Sequence, residues 1–191
     1  MKTIDDIRQE IMDDNMEFTE KGWVPIFKAY KEAKIVLIGQ APGIKTQLLK
    51  DVFRDPSGIR LRDYLGVDEA IFYDSHKIAV LPMDFYFPGK AKTGDNPPRK
   101  DFAKKWHPQL FEAMPNVELI ILIGMYAIKH YLKDDMKKNL TETVKNYDAY
   151  LPQYFPIPHP SPLNQRWEAK NPWYKSEVVP KLKEAVALSL K

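Results

Sequence analysis

A proline-rich run begins at residue 155 and reads Phe155-Pro156-Ile157-Pro158-His159-Pro160-Ser161-Pro162-Leu163-Asn164-Gln165-Arg166-Trp167. Each proline fixes φ at about −65° and removes a backbone donor, so the run cannot be a helix interior or a central strand. The sequence therefore predicts a stiff loop that presents one imidazole, one hydroxyl and an apolar tip, Leu163, as a binding loop does. The alternative is a proline-stiffened connection whose histidine is a hydrogen-bonded surface side chain.

A second run lies nearer the N-terminus and reads Ile35-Val36-Leu37-Ile38-Gly39-Gln40-Ala41-Pro42-Gly43. Its apolar first half predicts a buried strand, and its second half predicts a sharp turn. Gly39 and Gly43 flank Pro42, so the backbone can approach a ligand closely with N–H groups free nearby. Such a turn alone says little about function.

The two runs together resemble the uracil-DNA glycosylase superfamily, whose first motif follows the first sheet strand and whose second is a His-Pro-Ser-Pro loop. The first motif here is Gly39 to Gly43, and the second is His159 to Leu163. The resemblance implies a DNA glycosylase that hydrolyses the N-glycosidic bond of uracil or another deaminated base after base flipping, in base-excision repair. It implies damaged DNA as the partner and requires no metal or other cofactor.

Length and composition narrow the class of protein. A chain of 191 residues fits one domain, residues 1–191, with a helix at about 3–20 packed on it. The absence of cysteine excludes the iron–sulfur cluster that some branches of the superfamily carry. No apolar run is long enough to span a membrane and no signal peptide is visible, so we expect a cytoplasmic monomer without membrane contact. A net charge of +3 permits DNA binding without requiring it.

Strands and helices alternate along the chain. The sequence predicts strands at residues 34–38, 77–81, 117–124 and 154–157. It predicts helices at 3–20, 25–33, 44–53, 60–65, 68–73, 101–114, 125–132, part of 134–152 and 176–190. Ser57 is expected to cap the helix over 60–65, and Pro108 to kink or break its helix. This order predicts an α/β fold, a three-layer α/β/α sandwich around a four-stranded, mostly parallel sheet, with both motifs at the carboxyl ends of strands.

Two further segments suggest contacts with a flipped nucleotide. Phe53, followed by Ser57-Gly58, is similar to an aromatic residue that stacks on the base in the cluster-bearing branch; a core phenylalanine would look the same. The loop over residues 85–100 starts with three aromatic residues and carries Lys90, Lys92, Arg99 and Lys100. Aromatic faces beside cations suit a base and its phosphates, but an ordinary solvated loop would also fit.

The resemblance also implies roles for individual residues. His159 would donate a hydrogen bond to a base carbonyl as negative charge develops there, and Asp84 would bind a ring N–H or orient water. Base-binding residues would be Gly39, Gln40, Ala41 and Phe53. DNA-binding residues would be Pro42, Gly43, Ser161, Leu163, Asn164 and Arg166. Among these, Leu163 would be the wedge that fills the gap left by the extruded nucleotide.

The chain departs from the family pattern at the residues that orient water and read uracil. Ala41 stands where the best-known branch has an acidic residue, and Gln40 stands where the cluster-bearing branch has glutamate. Asp84 stands where several branches have an asparagine that reads the uracil edge. Two alternatives therefore stay open: a non-catalytic DNA-binding homologue, and an enzyme or binder acting on free nucleotides or nucleosides.

Overall fold

One parallel sheet forms the centre of the structure, a computed structural model that describes residues 2–191. Its strands are β1 (Ile35–Ile38), β2 (Ile78–Val80), β3 (Leu119–Ile123) and β4 (Tyr154–Ile157). They lie in the order β2-β1-β3-β4, and every neighbouring pair is parallel. The strands are buried on both faces, as the unbroken apolar runs predict. The predicted four-stranded α/β fold is confirmed.

Ten α-helices of the described residues surround the sheet. They are α1 (Ile4–Asp14), α2 (Met16–Thr19), α3 (Ile44–Leu49), α4 (Pro56–Leu65), α5 (Glu69–Tyr73), α6 (Phe102–Ala113), α7 (Met125–Leu132), α8 (Leu140–Lys145), α9 (Gln165–Lys170) and α10 (Val179–Ser189). Short 3₁₀ turns occupy Lys133–Asp135, Tyr147–Tyr150 and Pro162–Asn164, and a wider π turn over Tyr174–Val178 leads into α10. Among the described residues no helix is long and apolar enough to cross a membrane.

The core is divided into two apolar layers by the sheet. Side chains alternate along each strand, so in β1 Val36 and Ile38 face one layer while Ile35 and Leu37 face the other. The first layer is completed by α1, α6 and α7, and the second by α4, α5 and α10. The result is the predicted three-layer α/β/α sandwich.

The helix predicted at residues 25–33 is absent, and the segment is extended instead. The Ile26 N–H donates to the Phe85 carbonyl at 2.7 Å, and Lys28 pairs antiparallel with Val80 through bonds of 2.9 and 2.7 Å. β2 is an edge strand, and an edge presents unpaired backbone groups. Pairing with residues distant in sequence therefore outweighs the local preference for a helix.

The first predicted helix, residues 3–20, is interrupted at Asn15. Thr3 caps α1 as expected, through a reciprocal pair of hydrogen bonds with Asp6. At Asn15 the backbone leaves the helical region (φ −129°, ψ 47°), while its side chain donates to the Ile11 carbonyl at 2.7 Å and accepts from Arg99 at 2.6 Å. Side-chain bonds of this kind compete with the helical ones. The chain therefore turns and restarts as α2.

The predicted cap of one helix is wrong, and the predicted break inside another helix is absent. Asp55, not Ser57, caps α4, because Pro56 takes the first helical position, where a missing N–H costs nothing. Pro108 does not break α6, which runs through it. The carbonyl that Pro108 leaves without a helical donor belongs to Lys104, an exposed residue, so water can serve it.

Candidate active site

A cleft of about 630 Å³ opens at the carboxyl ends of the strands. Its walls include residues 39–46 after β1, residues 51–55 before α4 and Ser57 in its first turn, Val80 and Pro82 at the end of β2, Lys90 and Asp95, and His159 after β4. This volume lies in the range of small-molecule sites, and the position is where open parallel sheets bind ligands. The structure thus brings the first motif and His159 of the second motif together in one cleft.

The first motif leaves β1 with its donors unused. The Gly39 carbonyl accepts from Met83 N–H at 2.9 Å, which ties this turn to the segment that follows β2. In the described residues, the N–H groups of Gln40 and Ala41 and the side chain of Gln40 make no hydrogen bond. All three line the cleft or lie beside it. They can therefore donate to an electronegative atom of a ligand.

Phe53 also lines the cleft, and hydrogen bonds hold its backbone in a strained conformation. Its φ of 52° is in the left-handed region that disfavours side chains. Its carbonyl accepts from Tyr73 Oη at 2.7 Å and from Arg62 Nη1 at 3.2 Å. Its ring meets Phe72 edge to face, with centroids 6.3 Å apart. The remaining ring surface is partly exposed in the cleft, where a flat ligand could stack on it.

His159 enters the cleft from the proline loop in a defined tautomer. Its Nδ1 accepts from the Ser161 N–H at 3.1 Å, so the neutral ring carries its proton on Nε2. Burial lowers the pKa of His159, and the nearby Asp55 carboxylate offsets part of that effect. Gly124, at φ 81°, packs against it; a β-carbon there would lie 3.8 Å from that of His159. His159 is therefore a neutral imidazole with an Nε2–H donor.

The loop after His159 is tied to itself and projects one apolar side chain. Asn164 Nδ2 donates to the His159 carbonyl at 2.6 Å, and the Leu163 N–H donates to Ser161 Oγ at 3.2 Å. Leu163 is 90% exposed. Arg166, also exposed, follows on the first turn of α9. Ser161, Leu163, Asn164 and Arg166 do not line the cleft but lie beyond His159.

Asp84, predicted as a catalytic residue, is not brought into the cleft. It is fully buried, and its carboxylate accepts from Arg99 Nε at 2.7 Å and Nη2 at 2.8 Å. Backbone N–H groups of Tyr86 and Arg99 also donate to it, each at 3.1 Å. With this many donors, the carboxylate joins the segment after β2 to the start of α6.

The aromatic residues of the 85–100 loop are core residues, contrary to the prediction that they could stack on a base. Phe85 and Tyr86 are fully buried, and Phe87 is 8% exposed. Phe85 stacks on Phe27 and Tyr86 on Phe18, both with centroids 4.7 Å apart. Of the loop's cations, Lys90 lines the cleft paired with Asp95 at 2.6 Å, Arg99 binds Asp84, and Lys92 and Lys100 are exposed.

Sequence reasoning did not identify the acidic side of the cleft. Asp51, within the helix predicted at residues 44–53, and Asp55, which follows that helix, both line it. A signal was available for Asp55, because an aspartate before a proline and a helical run is a typical N-cap. Within residues 2–191, no group of three or more histidine, aspartate or glutamate side chains is placed to hold a metal ion.

Comparison with known proteins gives two results. The sequence profile described as the uracil DNA glycosylase superfamily matches residues 27–183. The fold is similar to the solution NMR structure of a candidate uracil DNA glycosylase from Methanosarcina acetivorans, with a TM-score of 0.50. The alignment covers 82% of this chain and 93% of that one, at 13% sequence identity. At that identity the second result bears on the fold alone.

Proposed function

The chain belongs to the uracil DNA glycosylase superfamily, and on that premise we propose that it is a DNA base-excision glycosylase. The reaction would be hydrolysis of the N-glycosidic bond of uracil or another deaminated base, after that nucleotide has been flipped out of the helix. In this proposal residues 1–191 act as one domain, as a monomer, on DNA that contains a damaged base.

The observation that carries the proposal is the Nε2–H of His159 in the same cleft as the free N–H groups of Gln40 and Ala41. When the glycosidic bond breaks, its electron pair stays on the base, and negative charge spreads to the base carbonyl oxygens. Donors already aimed at that charge stabilise the transition state without reorganisation. A neutral imidazole suffices as such a donor, and Phe53 would stack on the base.

The surroundings of the cleft fit a nucleic-acid strand. Leu163 is the exposed tip of a loop stiffened by prolines and by its own hydrogen bonds, so it can enter a base stack at little entropic cost. Arg166 is exposed three residues further along the chain and can neutralise a phosphate. Pro42, Gly43, Ser161 and Asn164 would shape the backbone path beside them.

The direct test is base release from short oligonucleotides that each contain one uracil, hypoxanthine or xanthine, as single strands and as duplexes. His159→Ala should lower the rate by at least about 100-fold while DNA binding is retained. His76→Asn is a matched control, because His76 is exposed at the amino end of β2 and asparagine tolerates its φ of 57°.

The outcomes separate the proposal from its two alternatives. Binding without release from any base would indicate a non-catalytic DNA-binding homologue, which the missing acid of the first motif would explain. Release from free nucleosides without DNA, unaffected by Leu163→Ala, would indicate an enzyme acting on small molecules. Equal rates for the wild type and His159→Ala would contradict the role of His159.

A further inference from the structure

Three carboxylates line the cleft, and two of them are neutralised. Asp51 binds Lys28 at 2.8 Å and Arg54 at 2.6 Å, and Asp95 binds Lys90 at 2.6 Å. Asp55 has no cation within 4.0 Å among the described residues. A carboxylate held in an ion pair is poorly suited to accept a proton from water, since its charge is already compensated. Asp55 is therefore the cleft carboxylate that is free to act.

The position of Asp55 is fixed by its role at the start of α4. One of its oxygens, Oδ1, accepts from the Gly58 N–H at 3.1 Å, and the other makes no hydrogen bond within residues 2–191. Pro56 restricts the backbone that follows. Asp55 also lies close enough to His159 to influence its titration. One oxygen thus anchors the side chain, and the other is available to bind water or a ligand in the cleft that Asp55 and His159 both line.

We propose that Asp55 is the catalytic carboxylate of this glycosylase, orienting the attacking water through the oxygen that Gly58 does not use. The inference rests on the proposed function. The first motif has no acid that could orient water, since residues 40 and 41 are glutamine and alanine. The inference assigns this task to the segment before α4. Asp84 cannot supply it, because Arg99 and two backbone N–H groups occupy its carboxylate.

The step balances with water as the only co-reactant. The bond between the sugar C1′ and the base nitrogen breaks, and its electron pair leaves with the base, whose carbonyl accepts from His159 Nε2–H. The negative charge of Asp55 stabilises the positive charge that develops on the sugar. The water oxygen bonds to C1′ and gives one proton to the free oxygen of Asp55. Asp55 later releases that proton to solvent, and the base anion takes one up.

Substitutions that preserve the helix cap distinguish a catalytic role of Asp55 from a purely structural one. Asn and Gly are both accepted as N-caps, so Asp55→Asn and Asp55→Gly should fold. Asp68→Asn is the matched control: Asp68 caps α5 by accepting from the Ile71 N–H at 2.8 Å and does not line the cleft. Urea unfolding of the three variants would measure the cost of changing a cap.

The experiment measures single-turnover base release and DNA affinity for the wild type, the three variants and His159→Ala. We expect Asp55→Asn to release base about 100-fold more slowly with DNA affinity within about twofold of the wild type. Asp68→Asn should release base at the wild-type rate. Added formate, a small carboxylate that fits the space left by the side chain, should accelerate Asp55→Gly but not His159→Ala. A purely structural role would give no such rescue.

Three results would count against the inference, and they are distinguishable. If the wild type releases base and Asp55→Asn releases it as fast as Asp68→Asn does, the inference is overturned while the proposed function stands. Slow release by Asp55→Gly that formate does not restore, with a matching loss of stability, would assign Asp55 a structural role only. No release by the wild type from any base would overturn the proposed function and this inference with it.

Discussion

The carbonyl oxygen of Phe53 lies 1.7 Å from the point where residue 58 would carry a β-carbon, so only glycine fits at Gly58. This contact lies between the segment that bears Phe53 and the first turn of α4. The absence of a side chain at Gly58 allows Phe53 to keep its left-handed backbone and to place its ring in the cleft. Because the clash would be with backbone atoms, no rotamer change can relieve it.

Gly58→Ala should therefore displace Phe53 and destabilise the protein by about 1–3 kcal/mol, although alanine is otherwise the better helix residue. Urea unfolding measures the stability, and base release measures the consequence for the cleft. Ile59→Ala, at a 63% exposed position of the same helix, is the control and should change stability by less than about 0.5 kcal/mol. A fully stable, fully active Gly58→Ala would show that Phe53 is not held by this contact.

The pairing of Asp84 with Arg99 leads to a second prediction. Asp84→Asn and Arg99→Gln should each cost about 2 kcal/mol of unfolding free energy, less than a fully buried pair would, because Arg99 is 37% exposed. The double variant should lose less than the sum of the two, since both changes break one interaction. A catalytic Asp84 would instead give slow base release in Asp84→Asn and normal release in Arg99→Gln.

The exposed side chain of Leu163 gives a prediction that depends on the DNA substrate. Leu163→Ala should leave stability within about 0.5 kcal/mol, because the side chain is 90% exposed. It should slow release from duplexes by on the order of tenfold and from single strands far less, since only a duplex has a stacking gap to fill. Leu188→Ala, at a 65% exposed residue of α10, is the control. Equal slowing on both substrates would contradict the wedge.

The loop that carries Leu163 illustrates which structural features could be predicted from the sequence. Prolines dictate extended backbone through local geometry alone, and β4 ends at Ile157 as predicted. The positions of His159 and the first motif in one cleft follow from parallel strands sharing their carboxyl edge. Asp84 and Phe85 show the limit. Asp84 is buried against Arg99, and Phe85 is buried against Phe27. Only the tertiary structure brings these partners together, so the burial of Asp84 and Phe85 could not be predicted from the sequence.

Arg166 provides a test of electrostatic contact with the backbone. It is exposed and forms no ion pair with the described residues, so its charge is available to a phosphate. Arg166→Ala should weaken DNA binding similarly for all sequences and reduce the slope of log affinity against log salt concentration by about 1. Lys2→Ala, on a residue paired with Glu10, should leave the slope unchanged. An unchanged slope in Arg166→Ala would exclude a phosphate contact.

The burial of His107 predicts how stability depends on pH. Its Nε2–H donates to the carbonyl of Pro82, a residue that lines the cleft, at 2.9 Å, and Nδ1 accepts from Tyr131 Oη at 2.6 Å. Burial lowers the pKa of His107 to about 4, although the hydrogen bond to the Pro82 carbonyl acts in the opposite direction. In the unfolded chain a histidine has a pKa of about 6.5, so the unfolded state takes up this proton first as pH falls. The contribution of His107 to stability is therefore fully present above pH 6.5 and is lost as the pH falls towards 4.

The loss attributable to His107 should total on the order of 3 kcal/mol across that window. His159, whose pKa burial also lowers, contributes in the same direction. His107→Gln keeps an N–H donor for Pro82 but cannot titrate, so its stability should start lower at pH 7 and fall less steeply. Urea unfolding of both proteins between pH 7 and pH 4 makes the comparison. Parallel curves would mean that His107 is protonated as readily in the folded as in the unfolded protein.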